Sequence, residues 1–214
     1  MKDRLLVMVA ATVAVASLCT VASAAGLYPA ADSDLAPIKW TGFIVAPYFG
    51  YETLHLKGQG ADALNDPQGW RVGGELDYDY QVGNLVFGIA GDGFYTWYKG
   101  DGASGAPDLT SRLTDYGTIR GRLGYTFGRW MIFGTGGYAF GDLSVKNSGL
   151  EESKTLSGWT AGGGVEWVWN NDLTLRGELA HISLGNETFA TLPAGKQDLG
   201  ADLDLFKIDF ITRY

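Results

Sequence analysis

Between Asp115 and Gly141, apolar and polar residues alternate with a period of two. Ile119, Leu123, Tyr125 and Phe127 fall on one side, and Thr118, Arg120, Arg122, Gly124 and Thr126 on the other. That is the periodicity of a β-strand. Gly128-Arg129 is short enough for a hairpin turn, and Trp130, Ile132, Tyr138 and Phe140 then restart the apolar side. In a soluble sandwich the inner face would have to bury the two arginines in an apolar core. They fit a strand whose apolar side faces lipid and whose polar side faces a narrow lumen, as in a transmembrane β-barrel.

The unit repeats along the chain. A first strand is expected from Lys39-Trp40 to about Thr53, with Phe43, Val45, Phe49 and Tyr51 on one face and Gly42, Ile44, Ala46, Tyr48, Gly50 and Glu52 on the other. Pro47 donates no ladder hydrogen bond, so a local bulge is expected there. In the second strand Trp70, Val72, Leu76, Tyr78, Tyr80 and Val82 alternate with Arg71, Glu75, Asp77, Asp79 and Gln81. The third runs from Leu85 to Trp97, and the fourth and fifth form the Asp115–Gly141 hairpin. The sixth runs from Ser157 to Trp169, a seventh starts at Leu173, and the eighth closes the chain at Tyr214.

Polar segments at 54–68, 98–114, 142–156 and 183–201 read as long loops, and those at 83–84, 128–129 and 170–172 as short turns. Long and short connections alternate, and an even strand number puts both termini on the short-turn side. This is the bacterial outer-membrane arrangement, with short periplasmic turns and long surface loops. Trp40, Trp130 and Trp169 on the turn side, and Trp70, Trp97 and Trp159 on the loop side, are expected to form interfacial girdles. The fold class is therefore all-β: an antiparallel, up-and-down, eight-stranded transmembrane barrel, closed because lipid tolerates no unpaired edge.

The 214-residue length suits one domain. Lys2 and Arg4, the apolar Leu5–Val21 run and the small residues Ala22-Ser23-Ala24 read as a signal peptide over residues 1–25. Residues 26–38, with Pro29 and Pro37, read as a periplasmic lead-in, leaving 39–214 for the barrel. The single cysteine, Cys19, lies in the leader, so no disulfide or cysteine metal site is expected. A formal charge of -8 argues against a nucleic-acid partner.

The inward-facing positions carry acids and bases in near balance: Glu52, Glu75, Asp77, Asp79, Asp92, Glu166, Glu178 and Asp209 against Arg71, Arg120, Arg122, Arg176, Lys207 and Arg213. An eight-stranded barrel has room for little besides its own side chains. A structural ion-pair network is expected, built on Arg71, Glu75, Asp77, Asp92, Arg120, Arg122, Glu166, Arg176, Glu178 and Arg213, with Arg120 and Arg122 at its centre. The competing reading of the same residues is a narrow pore.

Four blocks carry a family resemblance: Trp40-Thr41-Gly42-Phe43, Gly117 to Tyr125, Gly134-Thr135-Gly136-Gly137, and Gly158 to Glu166. They resemble the alphaproteobacterial outer-membrane immunogenic proteins, opacity-type and OmpA-like eight-stranded surface antigens, over nearly the whole mature chain. The resemblance implies an abundant envelope protein in the outer membrane. Its partners would be lipid, lipopolysaccharide and, through the C-terminal strand ending in Tyr214, the barrel-assembly machinery. Some relatives are adhesins or bind haem, which makes loop-borne host ligands an alternative. The chain ends Arg213-Tyr214 where the family usually closes on Phe.

Chemistry has few candidates. His181-Ile182-Ser183 is faintly similar to the His-x-Ser of lipid A deacylase barrels, with Glu187 as a possible orienting acid. The plainer reading places His181 at lipid headgroup level. His55 is expected in a loop without a partner, and two lone histidines make a poor metal site. The glycine clusters are followed by no helix, so they are not phosphate loops. The expectation is a non-enzyme without cofactor, stabilising the envelope and displaying four loops.

Overall fold

The computed structural model describes residues 38–59, 61–96, 100–101, 109–170, 173–190, 192 and 196–214. The signal segment 1–25, nearly all of the lead-in and Trp97 lie outside the described residues. Eight long strands follow in order: β1 Gly42–Lys57, β2 Gln68–Val82, β3 Leu85–Thr96, β4 Leu109–Phe127, β5 Trp130–Asn147, β6 Leu150–Val168, β7 Thr174–Phe189 and β8 Gln197–Arg213. A two-residue segment, Gly100–Asp101, adds to the edge of β4. Each strand pairs antiparallel with the next. β1 pairs with β8 and β3 with β4, so the sheet closes on itself. Backbone bonds between Phe43 and Tyr214, 3.1 and 2.8 Å, extend the closing seam to the chain's last residue.

The alternation read from the sequence holds through the middle of every described strand. Phe43, Leu76, Ile89, Ile119, Leu123 and Tyr138 are exposed, and Ile44, Glu75, Asp77, Arg120 and Arg122 are buried. In a soluble protein that distribution would be inside out. In lipid the apolar face is the one in contact with its solvent.

Pro47 departs from expectation. Its register with Gly74 on β2 is regular, and pairing with β8 has the same offset on either side of it, so there is no bulge. The β1–β8 ladder omits the Ala46 and Pro47 pairs, as a residue without an N–H requires. Pro47 itself points outward, its apolar ring on the lipid-facing side.

The long loops are also shorter than the sequence suggested. About 9–11 residues suffice to cross a bilayer as a tilted strand, yet β4 and β6 each have 19 residues. The 142–156 segment is not a loop. It continues the β5–β6 hairpin to a tight Ser148-Gly149 turn, both residues at positive φ (48° and 88°). Likewise β7 runs on to Phe189 and β8 begins at Gln197, inside the expected 183–201 loop.

The reason is a reversal of polarity along each extended strand. In β8 the inward positions run Leu199, Ala201, Leu203, Leu205, then Lys207 and Asp209. The outward positions run Asp198, Asp202, Asp204, then Phe206, Ile208 and Phe210. Above the membrane the barrel wall meets water, so its outside becomes polar and its inside apolar. Leu54, Leu113, Leu143, Leu156, Ile182, Leu184, Phe189, Leu199 and Leu203 form one buried cluster there.

At the opposite, short-turn end a second cluster joins Trp40, Val86, Met131 and Val168, with Ile38 packed against it. Trp40 is therefore no part of the lipid-facing girdle. It is 2 % exposed and plugs the turn-side mouth, because it shares the inward parity of Gly42, Ile44 and Ala46. Trp70, Trp130, Trp159 and Trp169 do face outward.

Candidate functional site

Between the two apolar clusters the lumen holds a connected set of charges. The period-two geometry of the strands places them. β2 alone aims Arg71, Glu75, Asp77 and Asp79 inward, β4 aims Arg120 and Arg122, and β7 aims Arg176 and Glu178. Glu75 is the hub, accepting bonds from Arg120, Arg176 and Lys207. Arg176 spans three acids, with Nη1 on Glu75, Nη2 on Asp77 at 2.8 Å and Nε on Glu166 at 2.7 Å. Arg120 joins Glu75 to Glu178, and Lys207 lies 3.1 Å from Glu178 and 3.3 Å from Asp209.

Towards the turn side, Arg122 contacts Glu166 and lies 3.4 Å from Asp79 and 3.6 Å from Asp77. Arg213 donates to the Trp40 carbonyl at 2.5 Å and reaches Asp79 at 3.2 Å and Glu166 at 3.1 Å. Its guanidinium sits 5.3 Å from the Trp40 ring, tying the charged layer to the turn-side plug. Towards the outer side, Arg71 bonds Glu52 at 2.7 Å and the Tyr48 hydroxyl at 2.6 Å. Tyr116 donates to Glu52 at 2.8 Å. Asp92 accepts from Thr118 and from Tyr48 at 3.3 Å, and lies 3.7 Å from Arg71.

All ten residues singled out in the sequence thus converge on one lumen layer. Glu52, Asp79, Lys207 and Asp209 belong to it as fully. The aromatic members are additions. Phe133 lies 4.2 Å beneath the Arg122 guanidinium, Tyr116 4.9 Å from that of Arg71, and the Tyr48 ring 4.9 Å from Lys207 Nζ. Inward parity was the available clue to Phe133, since it alternates with Ile132 and Gly134 on the lipid face. In this low-dielectric shell charge pairs attract strongly, and each cation lies against two or more acids, although among the described residues both buried carboxylate oxygens of Asp209 lack a hydrogen bond and meet the Lys207 charge at 3.3 Å. Glycines make the space. A Cβ on Gly164 would meet Phe133 Cζ at 2.9 Å, and one on Gly124 would meet Met131 Cγ at 3.0 Å.

A second polar group lies on the outer wall, just above the lipid-facing band. His181 Nδ1 is 2.7 Å from Asp204, and Ser183 donates to Asp202 at 2.8 Å. Lys57 donates to both Ser183, at 2.9 Å, and Asp202, at 2.6 Å. His55, expected in a loop and unpartnered, is instead on β1 and bonds Asp66 at 2.8 Å. Asp66 lies across the β1–β2 connection and Asp204 of β8 is 3.7 Å from Nε2, contacts that chain closure creates. The acid beside His181 is Asp204, not Glu187, which lies beyond a register shift and pairs with Leu199. Burial pushes the Asp202 carboxyl up, but the bonds from Lys57 and Ser183 prevail and hold it below its ordinary value. Among the described residues, no three His, Cys, Asp or Glu side chains are grouped so as to hold a metal ion.

The comparisons with known proteins agree with this geometry. Residues 11–204 match the family model of the outer membrane protein β-barrel domain. The 22 kDa outer membrane protein of Rhizobium leguminosarum bv. viciae is 30% identical over 176 residues, covering 79% of this chain and 81% of its own. The 31 kDa outer-membrane immunogenic protein of Brucella melitensis is 33% identical over 173 residues, covering 69% and 72%. Among solved structures, the outer membrane protein OprG of Pseudomonas aeruginosa superposes with a TM-score of 0.54 at 12% identity, over 85% of this chain and 99% of OprG, a likeness of fold. Built from eight closed strands with lipid-facing apolar walls and matched over most of its length, the chain belongs to the outer-membrane β-barrel proteins, and it resides in the bacterial outer membrane.

Proposed function

We propose that this outer-membrane barrel is a sealed structural element that stabilises the envelope and displays its extended strands and connections outside the cell. One observation carries the reading: the lumen is occupied at three successive levels. Trp40, Val86, Met131 and Val168 fill the periplasmic mouth. The Arg–Glu–Asp network fills the membrane level, and the leucine-rich cluster fills the outer level. Eight of the ten network residues from Arg71 to Arg213 act as internal cross-braces between strands that are not neighbours, and the ion pairs of Arg71 and Asp92 reinforce adjacent strands. Residues 1–25 serve as a cleaved signal peptide, 26–38 as a periplasmic lead-in and 39–214 as the barrel. Lipopolysaccharide surrounds the upper wall, and the C-terminal strand ending at Tyr214 addresses the assembly machinery.

The role is structural rather than catalytic. His181 and Ser183 each engage a different aspartate, and Ser183 is held by Lys57. A nucleophile pair would need the histidine directed at the serine. The test is a deletion strain assayed for dye uptake and detergent sensitivity. Leakiness cured by the intact gene, and equally by a gene with the 145–152 hairpin tip shortened, supports the structural role. An intact envelope after deletion contradicts it.

A further inference from the structure

Among the described residues, the lipid-facing wall has a recess on β7. Gly177 on β7 lies between Val165 of β6 and Ile208 of β8 in the ladder. A Cβ placed on Gly177 would meet no atom within 4 Å, and its φ is not positive. Neither packing nor backbone conformation therefore requires glycine there. The missing side chain opens a groove of about 240 Å³ with Gly177 as floor, Val165 and Ile208 as flanks, and Trp167 and Phe206 at its ends.

We propose that this groove holds one acyl chain of a glycerophospholipid from the periplasmic leaflet. The groove is continuous with the apolar band that contacts the membrane, formed on either side by exposed Leu179, Phe206 and Phe210. Its lining is apolar, so it suits a hydrocarbon chain and not a headgroup. Its depth selects the leaflet. Gly177 is the fourth residue of β7 counted from the turn side. At about 3.3 Å per residue and a tilt of about 40°, it lies roughly 8 Å inside the strand end. That is the acyl region below the periplasmic headgroups. Trp130 and Trp167 stack at 5.7 Å, and Trp169 packs on Trp167 at 5.2 Å. This aromatic cluster stands at the end of the groove where the headgroup would emerge, the level such rings favour.

Native mass spectrometry of the purified barrel, loaded with palmitoyl-oleoyl phosphatidylethanolamine in mixed micelles, tests this. The wild type is expected to retain a single lipid with several-fold higher occupancy than Gly177→Leu, whose side chain fills the groove. Gly74→Leu is the matched control, since it too is outward with open space around its Cβ position. It should retain lipid as the wild type does. Heat-modifiable mobility on gels establishes that each variant is folded. Should Gly177→Leu fail to fold, Val165→Trp obstructs the groove from its flank and is read the same way. Equal retention by wild type and the filled variant overturns the proposal. So does equal loss in Gly74→Leu, or a groove-dependent adduct with the mass of a second chain.

Discussion

Arg176 on β7 reaches Asp77 on β2 at 2.8 Å across the lumen, with β8 and β1 intervening in the sheet. The same guanidinium holds Glu75 and Glu166, so one side chain cross-braces three strands. Backbone ladders join only neighbours; these side chains join strands that no ladder connects.

Glu75 is where the bracing is most concentrated. Glu75→Gln leaves Arg120, Arg176 and Lys207 short of one negative charge in a buried site. The expected loss is about 3–5 kcal/mol, read as a lower urea midpoint for loss of the compact gel form. An unchanged midpoint would mean that the network adds no stability.

The outer leucine cluster behaves as a conventional apolar core. Leu203→Ala is expected to cost about 2–5 kcal/mol, the range for a buried leucine truncated to alanine. Leu203 lies just past the 183–201 segment, which reads as a loop from its polar outward residues. Equilibrium unfolding that is insensitive to Leu203→Ala would show the strand extensions to be uncoupled from the barrel.

Gly164 and Gly136 lie on opposite faces and differ in the space around them. At Gly164 an added Cβ meets Phe133 Cζ at 2.9 Å and the Gly177 carbonyl oxygen, whereas at Gly136 the nearest atom is Thr160 O at 3.8 Å. Gly164→Ala is therefore expected to lower folding yield and stability, and Gly136→Ala to leave both unchanged. Refolding yield into detergent, scored by gel mobility, distinguishes them. Equal behaviour would contradict the assignment of Gly164 as a close-approach position against β7 and Phe133.

The Lys57–Asp202–Ser183 clasp carries a pH dependence of definite sign. Asp202 has a lowered value in the fold, so its contribution is complete above the ordinary aspartate value of about 3.9 and fades as pH falls below it. The melting-temperature difference between wild type and Asp202→Asn should be constant from neutrality to about pH 5, then shrink towards pH 3. A difference that grows on acidification would reverse the assignment.

Strand count, the order of connections and the parity of most positions at membrane level follow from period-two alternation. It is a strong signal where the outside of the strand is lipid. It is masked where the outside is water. There Ser183 and Asp198 resemble parts of a loop, although Ile182, Leu184, Leu199 and Ala201 keep the alternation in opposite phase. Trp40 has inward parity, although its residue type alone points to the girdle. The His55–Asp66 and His181–Asp204 contacts depend on which strands become neighbours and on loop closure, and no local pattern encodes those.

A lumen closed at three levels should carry no current. Single-channel recording of the refolded barrel in planar bilayers tests this directly. The expected trace for the wild type is flat across the voltage range, with no unitary steps above the bare bilayer. Regular unitary openings in the wild type would contradict a sealed lumen and establish the narrow-pore reading in its place.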